Sequence, residues 1–471
     1  MKPVPVAGLR HAAYLLATGL LAVVLAFVNK YPLVYSDSGT YILSSFTLEP
    51  AADRPIGYGL IIRAVTWQST LWTVVLFQGV VLSWLLWEVM RGLFPEDRVL
   101  WRRHLAVVAA LVLLSSMPWY AAQVMPDFLT PLIVLILYLL FLARPRSLWR
   151  TTFLWTCLFF FLTAHNAHVA MAGLILAGLP LTRRQWPEGH PFPWRTWIGS
   201  VGVLVGAILF VAGYNGLHGL PARFSPASNV FLTGRLCEWH IVQDFLAEHC
   251  AAKDYALCPF REELPLVAGD LIWPDNSLAK RLGPDLVVAD SALAPMVQDI
   301  LQEPDLMARA LGQGLIATLV QVFQVNTNSG LVAEGRGSAP WWAIHGRLPA
   351  EEGAFLNSYQ AQGRWWDLTV VDRVVRWVLL LSVLVLIYTW RMPGVPDRLR
   401  ALAWMVLAWV VLNAAVTGAL ANVYDRLQSR VAWLVVLLAL LFLQSIPWGR
   451  RLFGGPGQGE IARASSTQDR P

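Results

Sequence analysis

The chain has 471 residues, 56% of them hydrophobic and only 14% charged, with a mean hydropathy of +0.52. That balance sets it apart from soluble domains and places it among polytopic membrane proteins. The net charge of +6 is no sign of nucleic acid as a partner, because the basic residues are scattered through short loops and form no stripe.

A membrane-crossing helix needs about 20 mostly apolar residues. The first such run is 12–28. Lys2 and Arg10 precede it and favour a cytoplasmic start. It lacks a clear small-residue cleavage site, so it reads as a retained helix and not as a signal peptide. The polar stretch Tyr35-Ser36-Asp37-Ser38-Gly39-Thr40-Tyr41 then lies outside. Residues 53–68 carry Arg54 and Arg63 among apolar positions and read as an interfacial helix lying along the membrane. Further spans are predicted at 71–90, 105–120 and 128–142. The run 151–181 is too long for one span and short for two. It is read as two short helices jointed at Ala164-His165-Asn166-Ala167-His168.

A seventh span at 197–214 closes a first module, residues 1–214, whose first outer loop is 30–70. Residues 215–372 are mixed, with Pro, charge and no long apolar run, and read as a mainly helical extracytoplasmic domain. Within it, 311–325 is apolar enough to lie on the membrane or over a cavity. Three more spans are predicted at 374–390, 401–420 and 431–446, within a segment 373–449. Residues 450–471 read as a disordered cytoplasmic tail. The fold class is therefore an all-α polytopic membrane protein with about ten spans. The loops rich in Arg (Arg91 to Arg103, Arg144 to Arg150, Arg183 to Arg195, Arg391 to Arg400, Arg450 and Arg451) all fall on one side, which is what orientation by positive charge requires. Cys237, Cys250 and Cys258 fall in the outer domain, where disulfides persist. Cys250 with Cys258 is the closest pair, and free thiols are the alternative.

Polar residues cluster on the outer side: Asp37, Asp127, His165 with His168, and Tyr424 through Arg426 to Arg430. Ionisable groups at such depths are functional candidates by default. Arg54 and Tyr58 follow Asp37 closely and join the substrate side. Each has a bland alternative. Asp37 caps a helix starting near Ser38, and Asp127 caps another. His165 and His168 make plain polar contacts or, with Asp37 or Asp127, hold a divalent metal. Arg426 and Arg430, four apart, share a helical face for a phosphate or for lipid headgroups. Arg54 pairs with Asp53. The Trp341-Trp342 and Trp365-Trp366 pairs stack on sugars or anchor the domain.

The acid in the first outer loop, the amphipathic helix after it and the acid opening the fourth span, Met125-Pro126-Asp127-Phe128-Leu129-Thr130-Pro131-Leu132, resemble the GT-C superfamily of glycosyltransferases. That superfamily includes protein O-mannosyltransferases and the aminoarabinose transferases that modify lipid A. The resemblance covers roughly the first 215 residues in layout and matches Asp37 to the first-loop acid. It implies a GT-C-like fold and a sugar taken from a polyprenyl phosphate on the outer face of the membrane. The outer domain matches no member of the superfamily.

The chemistry agrees. A sugar leaving polyprenyl phosphate needs no proton, whereas the attacking hydroxyl must lose one to a carboxylate, and the departing phosphate needs cations. Asp37 is the expected base and Asp127 the second catalytic acid, with Arg54, Tyr58, His165, His168, Tyr424, Arg426 and Arg430 binding substrate. No metal ligand is assigned, and a divalent metal stays open as a cofactor. The expected partners are a polyprenyl-phosphate-linked sugar, an envelope glycan, lipid or protein acceptor, and membrane lipids. The expected location is a bacterial inner membrane, with both termini cytoplasmic. The competing readings are a transporter or flippase of a lipid-linked saccharide and a non-catalytic envelope assembly protein.

Overall fold

The structure, a computed structural model, describes residues 6–95, 97–143, 147–185, 191–327, 331–365 and 367–446. The expected tail 450–471, Lys2, Arg144, Arg146, Trp366 and residues 328–330 lie outside them. The described residues are helical, with no strand among them.

The first apolar run breaks into α1 (Val6–Ala22) and α2 (Val24–Asn29) at Val23, whose backbone leaves the helical region at φ −104°, ψ 19°. The first loop holds two short helices, α3 (Ser38–Thr47) and α4 (Gly57–Thr66). Then come α5 (Trp72–Leu93), α6 (Leu100–Leu114) and the short α7 (Met117–Ala121). The next run is continuous from Pro126 to Ala143. It opens with a 3₁₀ turn, continues as α8 (Leu129–Tyr138) and ends in a π turn, Leu139–Ala143. The split pair is α9 (Leu148–Leu162) and α10 (Asn166–Gly178), and α11 (Trp194–Leu217) follows.

Beyond α11 lie α12 (Ser228–Glu238), α13 (Ile241–His249), α14 (Leu278–Leu282), α15 (Leu286–Gln302), α16 (Pro304–Val322), α17 (Ala339–Arg347) and α18 (Pro349–Leu356). The chain closes with α19 (Thr369–Thr389), α20 (Asp397–Leu420) and α21 (Asp425–Ser445).

Among the described residues five helices are long and apolar enough to cross a membrane: Trp72–Leu93, Pro126–Ala143, Trp194–Leu217, Asp397–Leu420 and Asp425–Ser445. The other apolar helices fall short for visible reasons. α1 stops at Val23, α9 and α10 are separated by their joint, and α19 carries Asp372, Arg373 and Arg376 in its first turns. The outward surfaces support a membrane protein. α11 exposes Ile198, Leu209 and Leu217, and α19 exposes Leu380, Leu384 and Ile387. Apolar faces of this extent mark contact with lipid or protein.

The expected outer domain, 215–372, packs as two parts. Val230 to Leu306 build a core of their own, closed at one side by the Cys250–Cys258 disulfide. Cys157 and Cys237 are buried free thiols. Residues 331–368 instead join the main core through Trp341, Ile344, Leu348, Phe355 and Leu368. α17 lies against α3 so closely that a Cβ on Gly39 would sit 2.5 Å from the Ala339 carbonyl carbon. Between the two parts, α16 presents Leu311, Leu315, Leu319 and Phe323 outward, one apolar residue per turn.

The run 126–143 has 18 residues and at 1.5 Å per residue is about 27 Å long, close to the thickness of a bilayer core. One end begins at Asp127. The other meets Arg91 of α5, Arg150 of α9 and Arg398 of α20 around a common cavity. The run therefore carries a polar cluster at each of its two ends.

Candidate active site

The loop carrying Asp37 is fixed by main-chain pairing to the loop before Asp127. Leu33 N donates to Ala122 O (2.9 Å), and Val124 N donates to Leu33 O (2.8 Å), a single parallel bridge. Ser38 Oγ then donates to Val124 O at 2.8 Å. On the other side, the Gln360 amide reads the backbone of Val34 like a neighbouring strand, accepting from its N (3.0 Å) and donating to its O (2.7 Å). α4 is held by Gly57, whose N donates to Thr163 O at 3.1 Å and whose site has no room for a side chain. Segments far apart in sequence thus meet around residues 33–38.

Asp37 begins α3 but its carboxylate does not cap it. It bridges two arginines instead. Arg54 Nη2 donates to Oδ1 at 2.9 Å, and Arg426 Nη1 donates to Oδ2 at 3.2 Å. Arg54 also pairs with Asp53 at 3.0 Å, so the local ion pair and the contact with Asp37 coexist. Burial pushes the Asp37 carboxyl up, but Arg54 and Arg426 outweigh it and hold it below its usual value. The side chain of Asp37 keeps 20% of its surface exposed, so solvent still reaches it.

Asp127 sits in the 3₁₀ turn and again caps nothing. Its Oδ1 accepts from Arg430 Nη1 at 2.8 Å, with both side chains fully buried. Asn413 Oδ1 accepts from Arg430 Nη2 at 3.0 Å. Asp127 Oδ2 and Arg426 Nε are buried without a hydrogen-bond partner. Such orphans are uncommon in a folded core, and each calls for a partner that a water, an ion or a ligand group can supply. Arg426 and Arg430 lie one turn apart on α21, so one helix supplies both acids with cations. The Arg426 guanidinium lies 3.8 Å over the Tyr35 ring, and Tyr120 OH donates to Arg426 O at 3.0 Å.

The two histidines separate. His168 is fully buried. Its Nδ1 donates to Phe161 O (2.7 Å) and its Nε2 accepts from Thr130 Oγ1 (2.8 Å), an assignment fixed by the carbonyl, which can only accept. Both nitrogens are occupied, so His168 is a packing residue and not the substrate ligand expected from the sequence. His165 caps α10 by accepting from Ala167 N at Nδ1 (3.1 Å). Its neutral ring therefore carries the proton on Nε2. His165 lies within the field of Asp127, Arg430, Arg426 and Arg54, and Nε2 makes no hydrogen bond among the described residues.

Tyr58 also turns inward. It is fully buried and donates to Gln78 Oε1 at 2.7 Å, and Gln78 Nε2 in turn donates to Ala121 O and Gln123 O. It shapes the loop before Asp127 and offers no free hydroxyl to a substrate. Tyr424 has its main chain pinned by the Gln321 amide and its ring exposed. Trp341 Nε1 donates to Glu352, whereas Trp342 is exposed.

One acid was missed from the sequence. Glu334 is 4% exposed, within the field of Asp37, and has no ion pair among the described residues. Burial, reinforced by the charge of Asp37, pushes its carboxyl up to about 7. It lies in a mixed segment with several other acids, so nothing in its neighbours singled it out. Among the described residues no three His, Cys, Asp or Glu side chains come together as a metal cage.

Comparison with family models, curated proteins and solved structures finds no match for this chain.

Proposed function

We propose that this end of the molecule is the active site of a membrane glycosyltransferase with a GT-C-like fold. It would move a sugar from a polyprenyl-phosphate donor to a hydroxyl on an extracytoplasmic glycan, lipid or protein. The observation that carries the reading is the Asp37 carboxylate held between Arg54 and Arg426, beside a second acid–arginine pair with an unpartnered carboxylate oxygen. This is the inventory that transfer from a lipid phosphate needs: a base for the acceptor and fixed cations for the leaving group. The shorter apolar helices complete about ten spans in this reading, and the Arg-rich ends face the cytoplasm of a bacterial inner membrane.

In the proposed reaction the acceptor oxygen attacks the anomeric carbon from the face opposite the phosphate. The new C–O bond forms as the old one breaks, and its electron pair leaves on the polyprenyl phosphate. The acceptor's proton passes to Asp37. Donor phosphate competes with Asp37 for Arg54 and Arg426, so its arrival loosens the carboxylate and makes it more basic. His165 Nε2–H adds a neutral donor for the same phosphate. Displacement in one step inverts the anomeric centre.

The test compares envelope glycans and lipid-linked sugars by mass spectrometry in cells with the protein, without it, and with Asp37→Asn. The expected result is one missing glycoside in the last two. An unchanged glycan profile, or full product with Asp37→Asn, overturns the reading. Loss of lipid movement across the bilayer with every glycoside present points to the flippase instead.

A further inference from the structure

The opposite end of the bundle carries a second polar site that the sugar-transfer reading does not use. A cavity of about 500 Å³ opens where α5, the π turn, the start of α9 and the start of α20 converge. Its apolar wall is Trp84, Leu139 and Leu154, and its polar lining is Glu88, Arg91, Arg150 and Arg398. The wall at Leu139 belongs to the π turn, a distortion frequently found at functional sites.

Charge and hydrogen bonding define what fits. Glu88 is 5% exposed. Its Oε2 lies 2.5 Å from Arg91 Nη2 and 3.7 Å from Arg150 Nη1. Its Oε1 is buried with no donor, and Arg150 Nε is buried with no acceptor. Among the described residues, Arg91 and Arg150 share the single carboxylate of Glu88, which leaves this part of the lining with excess positive charge and suits an anion. The orphaned carboxylate oxygen asks for a donor in the same molecule. Inorganic phosphate answers the arginines and repels Glu88. A molecule with a phosphate and an ammonium a few atoms apart answers both.

Place and shape make that molecule a lipid. The cavity's wall on the run 126–143, Leu139 and Ala143, lies about 18–24 Å along the helix from Asp127, towards the opposite headgroup layer. Exposed Trp101, Trp149 and Trp194 mark the starts of α6, α9 and α11 at the Arg-rich helix ends, as interfacial aromatic belts do. We propose that this cavity binds the headgroup of an aminophospholipid, its phosphate among Arg91, Arg150 and Arg398 and its ammonium against Glu88. Among the described residues Glu88 is the only carboxylate that lines the cavity, so the ammonium has one place to go.

The test is lipid retention by the full-length protein, measured by native mass spectrometry after exchange with equal amounts of phosphatidylethanolamine and phosphatidylcholine of matched chains. Both lipids carry the phosphate, but only the first has N–H donors. Wild-type protein is expected to keep phosphatidylethanolamine about tenfold better, the size of one charged hydrogen bond. Glu88→Gln should bring the two lipids to within about twofold, and Arg150→Gln should lower retention of both about tenfold. Ser147→Trp, at the rim, should block both lipids and serves if Glu88→Gln fails to fold. Equal retention of the two lipids by the wild type, an unchanged preference in Glu88→Gln, or displacement of the lipid by millimolar inorganic phosphate overturns the proposal. The outcome does not depend on whether the Asp37 end transfers sugar.

Discussion

Arg426 places its Nη1 3.2 Å from Asp37 Oδ2 across 389 residues of chain. The contact joins the loop before α3 to the start of α21. Arg54 completes the bridge from the other carboxylate oxygen. Most of what the site is proposed to do depends on this three-residue arrangement.

Arg426→Gln should therefore weaken the donor side more than the fold. It leaves Asp37 paired with Arg54 and removes one of the cations proposed to hold the phosphate. The expected result is a KM for the lipid-linked donor raised tenfold or more, since a charge-assisted hydrogen bond contributes about 1.5–3 kcal/mol. Arg426→Lys should restore part of it. Steady-state kinetics in proteoliposomes with varied donor measures both.

Asp127 and Arg430 should behave as a structural pair. Both are fully buried, and removing one partner of such a pair costs about 3–5 kcal/mol because the other charge is left uncompensated. Asp127→Asn and Arg430→Met should each lower the thermal midpoint sharply. The double variant should recover a large part of the loss. Scanning fluorimetry of purified protein gives the comparison, and additive losses would show that the two charges do not stabilise each other.

The histidines should part company in the same assay. His168→Ala leaves Thr130 Oγ1 and Phe161 O unpaired in the core, at a cost of about 1–3 kcal/mol. His165→Ala gives up only one cap bond and should lower turnover with little change in stability. A reversed pattern would remove His165 from the site.

Glu334 gives a pH signature. Its carboxyl lies near 7 when folded, against 4.5 ordinarily, so the folded state holds the proton more tightly. Folding is then favoured at pH below about 4.5 relative to neutral, and that advantage is lost as pH rises towards about 7. Glu334→Gln removes the dependence. The variant should match the wild type near pH 4 and exceed it at pH 8, measured as thermal midpoints across that range.

The site residues were legible because the chain is so apolar. Polar side chains such as Asp37, Asp127 and Arg430 stand out between apolar runs, and the four-residue spacing of Arg426 and Arg430 showed they share a face. Which acid each arginine takes was not legible, because that choice is made by the crossing of α21 with the first loop. Local pattern also could not tell His168, buried under Thr130, from His165, three residues earlier at the helix start. The apolar runs located the helices. Their lengths were less visible, because a break such as that at Val23 carries no Gly or Pro to signal it. Residues 331–368 read as one domain with 215–310 because both are mixed in composition, although only the second has a core of its own.

The apolar flank of α16, with Leu311, Leu315, Leu319 and Phe323 turned outward, has a practical outcome. A stand-alone fragment cut from residues 215–372 would carry this greasy stripe into water and would also lose the main helical core that 331–368 lean on. Such a fragment should clump, so antibodies and inhibitors against this face are best raised on the intact chain in nanodiscs.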